Sequence, residues 1–579
     1  MSSTPDAIVG WGTRCWPPGG HRERYGALQG KQGARVRIPG EQQTPRCVNS
    51  RAARGCATVF SFLCGLPTRS PSKMHKEPII GIDLGTTNSC AAIVEDSGNV
   101  KLIPYKGGEY TIPSIFAIDD KGNELIGYEA KRQWQLNPRN TVYGSKRLVG
   151  RGFGSEVVDT MKQVVAYNMR PGKQSDVILD VGKKEFALQE ISAKILGKIR
   201  EVASNYLKMP IKRAVVTVPA YFNDRQRQSV KDAGKLIDLE VVRIINEPTA
   251  AALAYGVGKG LKEKVVIYDL GGGTFDVSII EIRDRVFEVK ATGGDVFLGG
   301  IDFDNAIIHH VLKDFAAKTG LDLATDPVAM QRIKDLAERT KIDLSAREEV
   351  PFNIPFITMT SQGQPLNIEM KFSRKMLEQL TNQLVDRTLQ MVARVLVDSG
   401  LSTKDVDEVM LVGGQTRMPI VQDRLTKFFG KPPSKGVHPD EAVAIGAALY
   451  AHSLQDDTNL RIQLLDVIPM AIGLEKAGGA FHTVFPRNAS IPNAKQLLAT
   501  TSMDNQTELA VRIFQGDNEL VARNDMLGEF TFSGIQPGRA GAAQVEITFD
   551  VNVEGILTMR ARDPASGREM KTTVRVSNA

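Results

Sequence analysis

Gly81-Ile82-Asp83-Leu84-Gly85-Thr86-Thr87-Asn88-Ser89 and Tyr268-Asp269-Leu270-Gly271-Gly272-Gly273-Thr274-Phe275-Asp276 decide how this chain reads. Each stretch follows a short apolar strand (78–82 and 265–268) and leads into another (90–94 and 277–282). An apolar run, a turn rich in Gly and Thr, and a second apolar run predict a β-hairpin. Glycine lets the backbone approach a ligand closely, and successive N–H groups in such a turn form an anion cradle. A carboxylate entering each cradle is a poor phosphate partner by itself. It makes sense if a hydrated Mg2+ lies between carboxylates and phosphate. The two aspartates stand 186 positions apart, which predicts a duplicated lobe with a nucleotide clamped between the copies.

At 579 residues the chain is long enough for about four domains at roughly 150 residues each. Its net charge of +7 is unevenly spread. Residues 1–73 hold 11 of the 73 Lys and Arg but three of the 66 Asp and Glu, leaving 62 basic and 63 acidic residues in the remainder. That balance gives no electrostatic case for nucleic acid. No apolar run reaches about 18 residues, so no membrane-spanning helix is expected. Four of the five cysteines (Cys15, Cys47, Cys56, Cys64) fall in the first 73 residues, at spacings that match no zinc pattern. Cys90 alone beyond them fits a reducing compartment, and a cytoplasmic location is expected.

The leading segment is rich in Arg, Gly and Pro and lacks periodicity. Residues 57–66 look like a signal core but lie too far from the start for an ordinary signal peptide. Regular patterning begins after Met74-His75-Lys76-Glu77. Met74 is therefore expected to be the true start, with residues 1–76 a mis-annotated extension or else disordered. Strands and helices then alternate through 77–453, with helices expected at 191–206, 224–237, 250–255, 329–344, 372–399, 419–429 and 440–451. Residues 454–466 read as an interdomain linker. From 467 to 579, short runs at roughly ten-residue spacing bounded by Gly, Asn and Asp predict an all-β domain.

Nucleotide hydrolysis needs a metal to neutralise phosphate, donors for the γ-phosphate and an oriented water. Asp83 and Asp269 are the metal-side carboxylates, acting mainly through water, and Glu247 before Pro248 orients water or metal. Thr86, Thr87 and Thr274 face phosphate. Lys146, in Gly144-Ser145-Lys146-Arg147, balances charge on the γ-phosphoryl group, and Asp276 is a further polar candidate. A third turn, Gly413-Gly414-Gln415-Thr416-Arg417, would let a flat adenine lie against backbone. Taken singly, a Gly-Gly turn, an Asp at a strand end or a Lys-Arg pair is structural in most proteins. His309-His310 and the methionines between Met359 and Met418 read as packing. There is no Walker A or Rossmann glycine pattern, and only the ordered combination of turns is specific.

That combination resembles the seventy-kilodalton heat-shock (DnaK-type) chaperone family over about residues 77–579. The two hairpins carry the likeness, with Val218-Pro219-Ala220-Tyr221-Phe222-Asn223-Asp224, Asn246-Glu247-Pro248-Thr249-Ala250-Ala251-Ala252 and Val412-Gly413-Gly414 with Arg417 and Pro419. The resemblance implies an α/β actin-like (duplicated ribonuclease-H-like) ATPase domain followed by an all-β sandwich peptide-binding domain. It implies ATP, Mg2+ and K+ as cofactors, and catalysis by Lys146, Glu247 and Thr274 with Asp83 and Asp269. Nucleotide contacts are implied for Gly85, Thr86, Thr87, Asn88, Gly271, Gly272, Gly273, Thr274, Gly300, Glu338, Lys341, Ser345, Gly413, Gly414, Arg417 and Asp440. Peptide is expected at Leu474, Ala477, Leu509, Val511 and Ile535, and a relay between the domains at Pro219, Arg227 and Asp466. Unfolded clients, a J-domain co-chaperone and a nucleotide exchange factor are the implied partners of a monomer, with no nucleic acid and no membrane.

This sequence departs from the family's pattern in four places. Ile301 stands in Gly299-Gly300-Ile301-Asp302 where the family usually has Glu. Arg461 and Gln463 interrupt the leucine-rich linker, and an unpaired buried amide at Gln463 would cost about 1–3 kcal/mol. Ala477 and Ala499 are small for a peptide pocket. The sequence reaches Ala579 directly after the last expected strand, so the family's helical lid is expected to be absent. A regulatory or scaffolding relative dedicated to one partner is the alternative reading. A sugar kinase or actin-like filament would lack the C-terminal β domain.

Overall fold

The computed structural model describes residues 11–12 and 77–575, apart from 96, 174, 435–437, 456–460, 565–566 and 570. The expected loop at 456–459 and most of the leading segment lie outside the described residues.

Two mixed sheets of like construction form the α/β part. In the first, Ile79–Asp83 lies between Arg213–Val218, to which it is parallel, and Asn88–Val94, its antiparallel hairpin partner. Glu240–Asn246 and Val100–Leu102 extend the two sides, and Thr111–Pro113 also pairs with Asn88–Val94. In the second, Lys262–Leu270 lies between Glu408–Val412, parallel, and Phe275–Arg283, antiparallel, with Val286–Asp295 beyond. The same arrangement thus occurs twice, each with its Asp-Gly hairpin at the same relative place. The near-continuous burial of Val265–Leu270 and Phe275–Ile280 suits strands covered on both faces.

Helices Glu247–Gly256 and Ala442–Gln455 join the two halves. Both are rich in Ala and Gly because they pack almost backbone to backbone. A Cβ at Gly446 would stand 1.7 Å from the Ala250 carbonyl oxygen, and one at Gly81 2.1 Å from the Ala448 nitrogen. Leu188–Leu207 and Asp224–Lys235 cover the first sheet. Gly300–Thr319, Pro327–Ala346 and Arg374–Asp398 build a second core with the hairpin Glu349–Met359/Pro365–Ser373.

The C-terminal part is a sandwich of antiparallel strands. One sheet runs Ala480–Phe485, Ile472–Lys476, Glu508–Gln515, Asp525–Ser533, Lys571–Arg575. The other runs Asn493–Thr500, Gln544–Val551, Leu557–Arg562. Alternating Val545, Ile547, Phe549 and Val551 point into the shared core.

Four expectations change. The helix expected from Ala250 begins at Glu247, which places that carboxylate in the first turn. Leu454 and Gln455, read as linker, continue the preceding helix, and Gln463–Val467 forms a strand parallel to Val286–Glu288. Gln463 is exposed there and donates its backbone N–H to Arg285 O at 2.9 Å, so the expected burial cost of its side chain does not arise. Trp11–Gly12, in the segment expected to be disordered, forms a two-residue strand against Leu498–Ala499. The last two differences share a cause: strand addition depends on a sheet edge distant in sequence, which local patterning does not reveal.

Candidate functional site

The two hairpin tips meet. A Cβ at Gly272 would lie 1.9 Å from Thr87 Oγ1, and one at Gly273 2.4 Å from Thr86 Cγ2. Glycine is required there because the opposite tip already fills the space. Between and beside the tips lies a cavity of about 490 Å3. It is lined by Asp83, Gly85, Thr86, Thr87 and Asn88 from the first hairpin and by Asp269, Gly271, Gly272 and Thr274 from the second.

Lys146 enters the cavity on a 3-10 turn, Ser145–Arg147, and donates to Glu247 Oε1 at 2.6 Å. Both side chains are 9% exposed. Glu247 sits at the first helical position, where the positive end of the helix dipole favours a carboxylate. The next residue, Arg147, is 1% exposed. Its Nε donates to Gly273 O at 2.8 Å and its Nη2 to Asp302 Oδ2 at 2.6 Å, with the guanidinium over the Phe297 ring. Arg147 therefore ties the second hairpin to the start of helix Gly300–Thr319. Ser114 Oγ braces the first hairpin by donating to Gly85 O at 2.8 Å. Sequence reasoning missed both residues, since a lone Ser, or an Arg beside a Lys, carries no signal until its partner is seen.

The carboxylates crowd one another. Burial, then the Glu247 charge, raises the Asp83 pKa to about 7 and that of Asp276 to about 7. Asp269 is driven well above the ordinary range by burial, Glu247, Asp276 and Asp83. Such a group is stable in its charged form only with a cation nearby. Among the described residues no three His, Cys, Asp or Glu converge closely enough to grip a bare ion. The hard oxygens of neighbouring carboxylates are of the kind that suits a divalent cation with waters filling its remaining positions.

At the far side of the cavity Gly413 adopts φ +81°, and a Cβ there would meet Leu270 O at 2.4 Å. Arg417 Nη2 donates to Asp440 Oδ2 at 2.5 Å beside Gly414. Lys341 Nζ donates to Gly300 O and contacts Asp304, both at 2.9 Å. Glu338 also lines the wall. Two expected contacts stand back from the cavity. Gly273 faces Thr86 and Arg147, and Ser345 lies one turn beyond Lys341, its Oγ donating to Lys341 O at 3.4 Å.

A family model described as Hsp70 protein matches residues 79–579. The chain belongs to the Hsp70 family. Members of this family are ATPases that bind ATP with Mg2+ and act as chaperones, and the cavity is where the two repeated hairpins of this Hsp70 chain converge.

The remaining expected residues fall at the boundary between the α/β part and the sandwich, or inside the sandwich. Arg227 is buried and donates to Phe222 O (3.1 Å), Ala220 O (3.0 Å) and Glu554 O (3.4 Å). Pro219 opens that turn, its carbonyl accepting from Phe222 N. Asp466 accepts from Asn246 Nδ2 (2.8 Å) and Thr249 Oγ1 (3.2 Å), so Asn246 connects the relay candidates to Glu247 along the chain. Leu474, Leu509, Val511 and Ile535 are buried together in the sandwich core, while Ala477 opens a 3-10 turn, Ala477–Gly479. Among the described residues no helix is long and apolar enough to cross a membrane.

Proposed function

We propose that this Hsp70 chain is an ATP-dependent chaperone, built as an actin-like ATPase domain coupled to a peptide-binding β-sandwich. It would bind and release extended apolar segments of unfolded proteins. The observation that carries this reading is the convergence of both Asp-Gly hairpins on one cavity, with the Lys146–Glu247 pair at its wall. Backbone N–H groups of Gly85–Asn88 and Gly271–Thr274 would cradle phosphate oxygens from two sides. Asp83, Asp269 and Glu247 would hold the waters of Mg2+, whose charge offsets that of the phosphates. Lys146 would place an ammonium against charge gathering on the γ-phosphoryl group, and Glu247 and Thr274 would orient the attacking water. Glu338, Lys341, Arg417 and Asp440 would surround the nucleoside, and K+ would share the phosphate region.

Several contacts support coupling of the two parts. Arg151 pairs with Asp525 at 2.8 Å, Asp224 Oδ1 accepts from Leu557 N at 2.8 Å, and the buried Glu554 bonds Lys231 and the Ile244 N–H. The strand Gln463–Val467, which pairs with the second sheet, itself carries Asp466 of the Asn246–Asp466 bond. A change in lobe spacing on hydrolysis would thus reach the sandwich through Asp466 and Arg227. An extended client would be held by strand-type hydrogen bonds and side-chain pockets. A J-domain protein and an exchange factor would act on this cycle in the cytoplasm. The test is steady-state ATP turnover with and without an unfolded apolar peptide. Stimulation by unrelated peptides supports a general chaperone, and stimulation by one partner alone would favour a dedicated scaffold.

A further inference from the structure

We infer that Arg147 is a positioning residue for hydrolysis, which turns the Thr274 N–H toward phosphate and holds it in register with Lys146. This role rests on the nucleotide reading above and adds to it a residue that stands outside the cavity wall.

The second hairpin tip has its three glycine carbonyls tied down. Gly271 O accepts from Gly300 N and Gly272 O from Ile301 N, both at 2.9 Å. Gly273 O accepts from Arg147 Nε at 2.8 Å. A trans peptide directs its C=O and its N–H to opposite sides. Fixing these carbonyls therefore turns the N–H groups of Gly272, Gly273 and Thr274 the other way, where none of the three finds an acceptor among the described residues. Two of the anchors are backbone groups at the start of helix Gly300–Thr319. That start packs backbone to backbone on the tip, since a Cβ at Gly299 would stand 2.6 Å from Gly273 N. The third anchor sets the peptide that carries the Thr274 N–H. It is a side chain, and it comes from the half that holds the first hairpin.

Arg147 has one orientation open to it. Its side chain is fully buried, and Nη1 and Nη2 reach Asp302 Oδ1 and Oδ2 at 3.4 and 2.6 Å. Asp302 Oδ2 is itself fixed by accepting from Gly299 N at 2.8 Å. The Phe297 ring covers one face of the guanidinium, its centroid 4.5 Å from Cζ. A planar fork gripped by a carboxylate at one edge leaves Nε aimed at a single acceptor, which a lysine ammonium cannot reproduce. Arg147 also follows Lys146 directly in the turn Ser145–Arg147, so a backbone shift that moves one moves the other. The Lys146 ammonium and the Thr274 N–H, carried by opposite halves, thus share one frame.

Three variants of the full chain test this. Arg147→Met keeps the length and drops both bonds, Arg147→Lys keeps the charge without the fork, and Asp302→Asn keeps an acceptor for Gly299 N while loosening the grip. The readouts are affinity for Mg-ADP, affinity for Mg-ADP with aluminium fluoride, which mimics the γ-phosphoryl group in transfer, and the single-turnover rate of ATP hydrolysis. The expected result is ADP affinity within about threefold of the parent in all three variants. Hydrolysis should slow about tenfold or more, with the aluminium fluoride complex weakened in parallel, because misaimed donors matter most as charge develops. A merely structural role would lower ADP affinity by the same factor, and that result would overturn the inference. So would Arg147→Lys hydrolysing at the parent's rate, which would leave charge alone as the requirement. If circular dichroism shows Arg147→Met unfolded, the other two variants decide. A folded parent that binds no ADP would reject the nucleotide reading and this role with it, whereas parent-like hydrolysis by variants that bind ADP would reject the role of Arg147 alone.

Discussion

Lys146 and Glu247, 101 positions apart, meet at 2.6 Å as a buried ion pair whose members come from two different elements of the first lobe. The pair couples the cavity wall to the helix that joins the two sheets. Its two halves have unequal consequences when removed. Lys146→Ala leaves Glu247 buried beside Asp83, Asp269 and Asp276 without its cation, which costs roughly 3–5 kcal/mol of stability. Adding Glu247→Gln should restore most of that loss without restoring turnover. Denaturant unfolding of the single and double variants checks it. Equal stability of the single variant and the parent would contradict the pair's structural role.

Thr274→Ala is expected to lower ATP turnover by about 100-fold while changing ATP affinity less than about threefold, because it removes a group that acts mainly as charge develops. Lys146→Ala should behave likewise wherever it stays folded. Single-turnover hydrolysis beside equilibrium binding separates the two effects. Normal turnover in both variants would reject the assignment.

The hairpin tips give a steric prediction. Gly272→Ala drives a methyl into Thr87 Oγ1 and should weaken ATP binding by about tenfold or more, since the cradle must open to admit it. Gly258, with φ +79° and nothing within 4 Å, is the control. There Ala should cost only about 1 kcal/mol of backbone strain and leave nucleotide binding intact.

Asp224 makes docking of the sandwich pH-dependent. Burial raises its pKa to about 6, against which the Leu557 N–H and the charges of Arg227 and Arg225 work. A carboxyl whose pKa is raised in the docked state binds its proton more tightly there. Docking is therefore favoured as pH falls from about 6 toward the ordinary value near 4, and is insensitive to Asp224 above about 6. Two units correspond to roughly 3 kcal/mol at most. Asp224→Asn keeps an acceptor for Leu557 N and removes the charge, so it should strengthen docking at neutral pH and flatten the acid response. Hydrogen exchange at Leu557 from about pH 7 to 5, corrected for intrinsic rates, reads this directly. An unchanged pH response in the variant would contradict it.

The sequence was most readable where chemistry forces rare residues into order. The Asp-Gly hairpins and the Gly413–Gly414 turn fall where their residues predict, because tight turns and close approaches leave few alternatives to Gly. What stayed hidden depended on partners remote in sequence. Arg147 could not be distinguished from any surface arginine until Gly273 O and Asp302 were found against it. Gln463 looked like a buried amide because its strand partner, Val286–Glu288, lies far upstream. Glu554 sits in an Asn-Val-Glu-Gly turn of ordinary appearance, yet it is 7% exposed and bonded across the boundary to Lys231 and Ile244.

The most direct test of a nucleotide held between twin hairpins is calorimetric titration of the full chain with Mg-ATP, in parallel with Gly272→Ala. One saturable site per chain, lost on chelating the Mg2+ and weakened in the variant, is the predicted result. No binding heat from the folded parent at any temperature tried, or identical binding by parent and variant, would contradict the account.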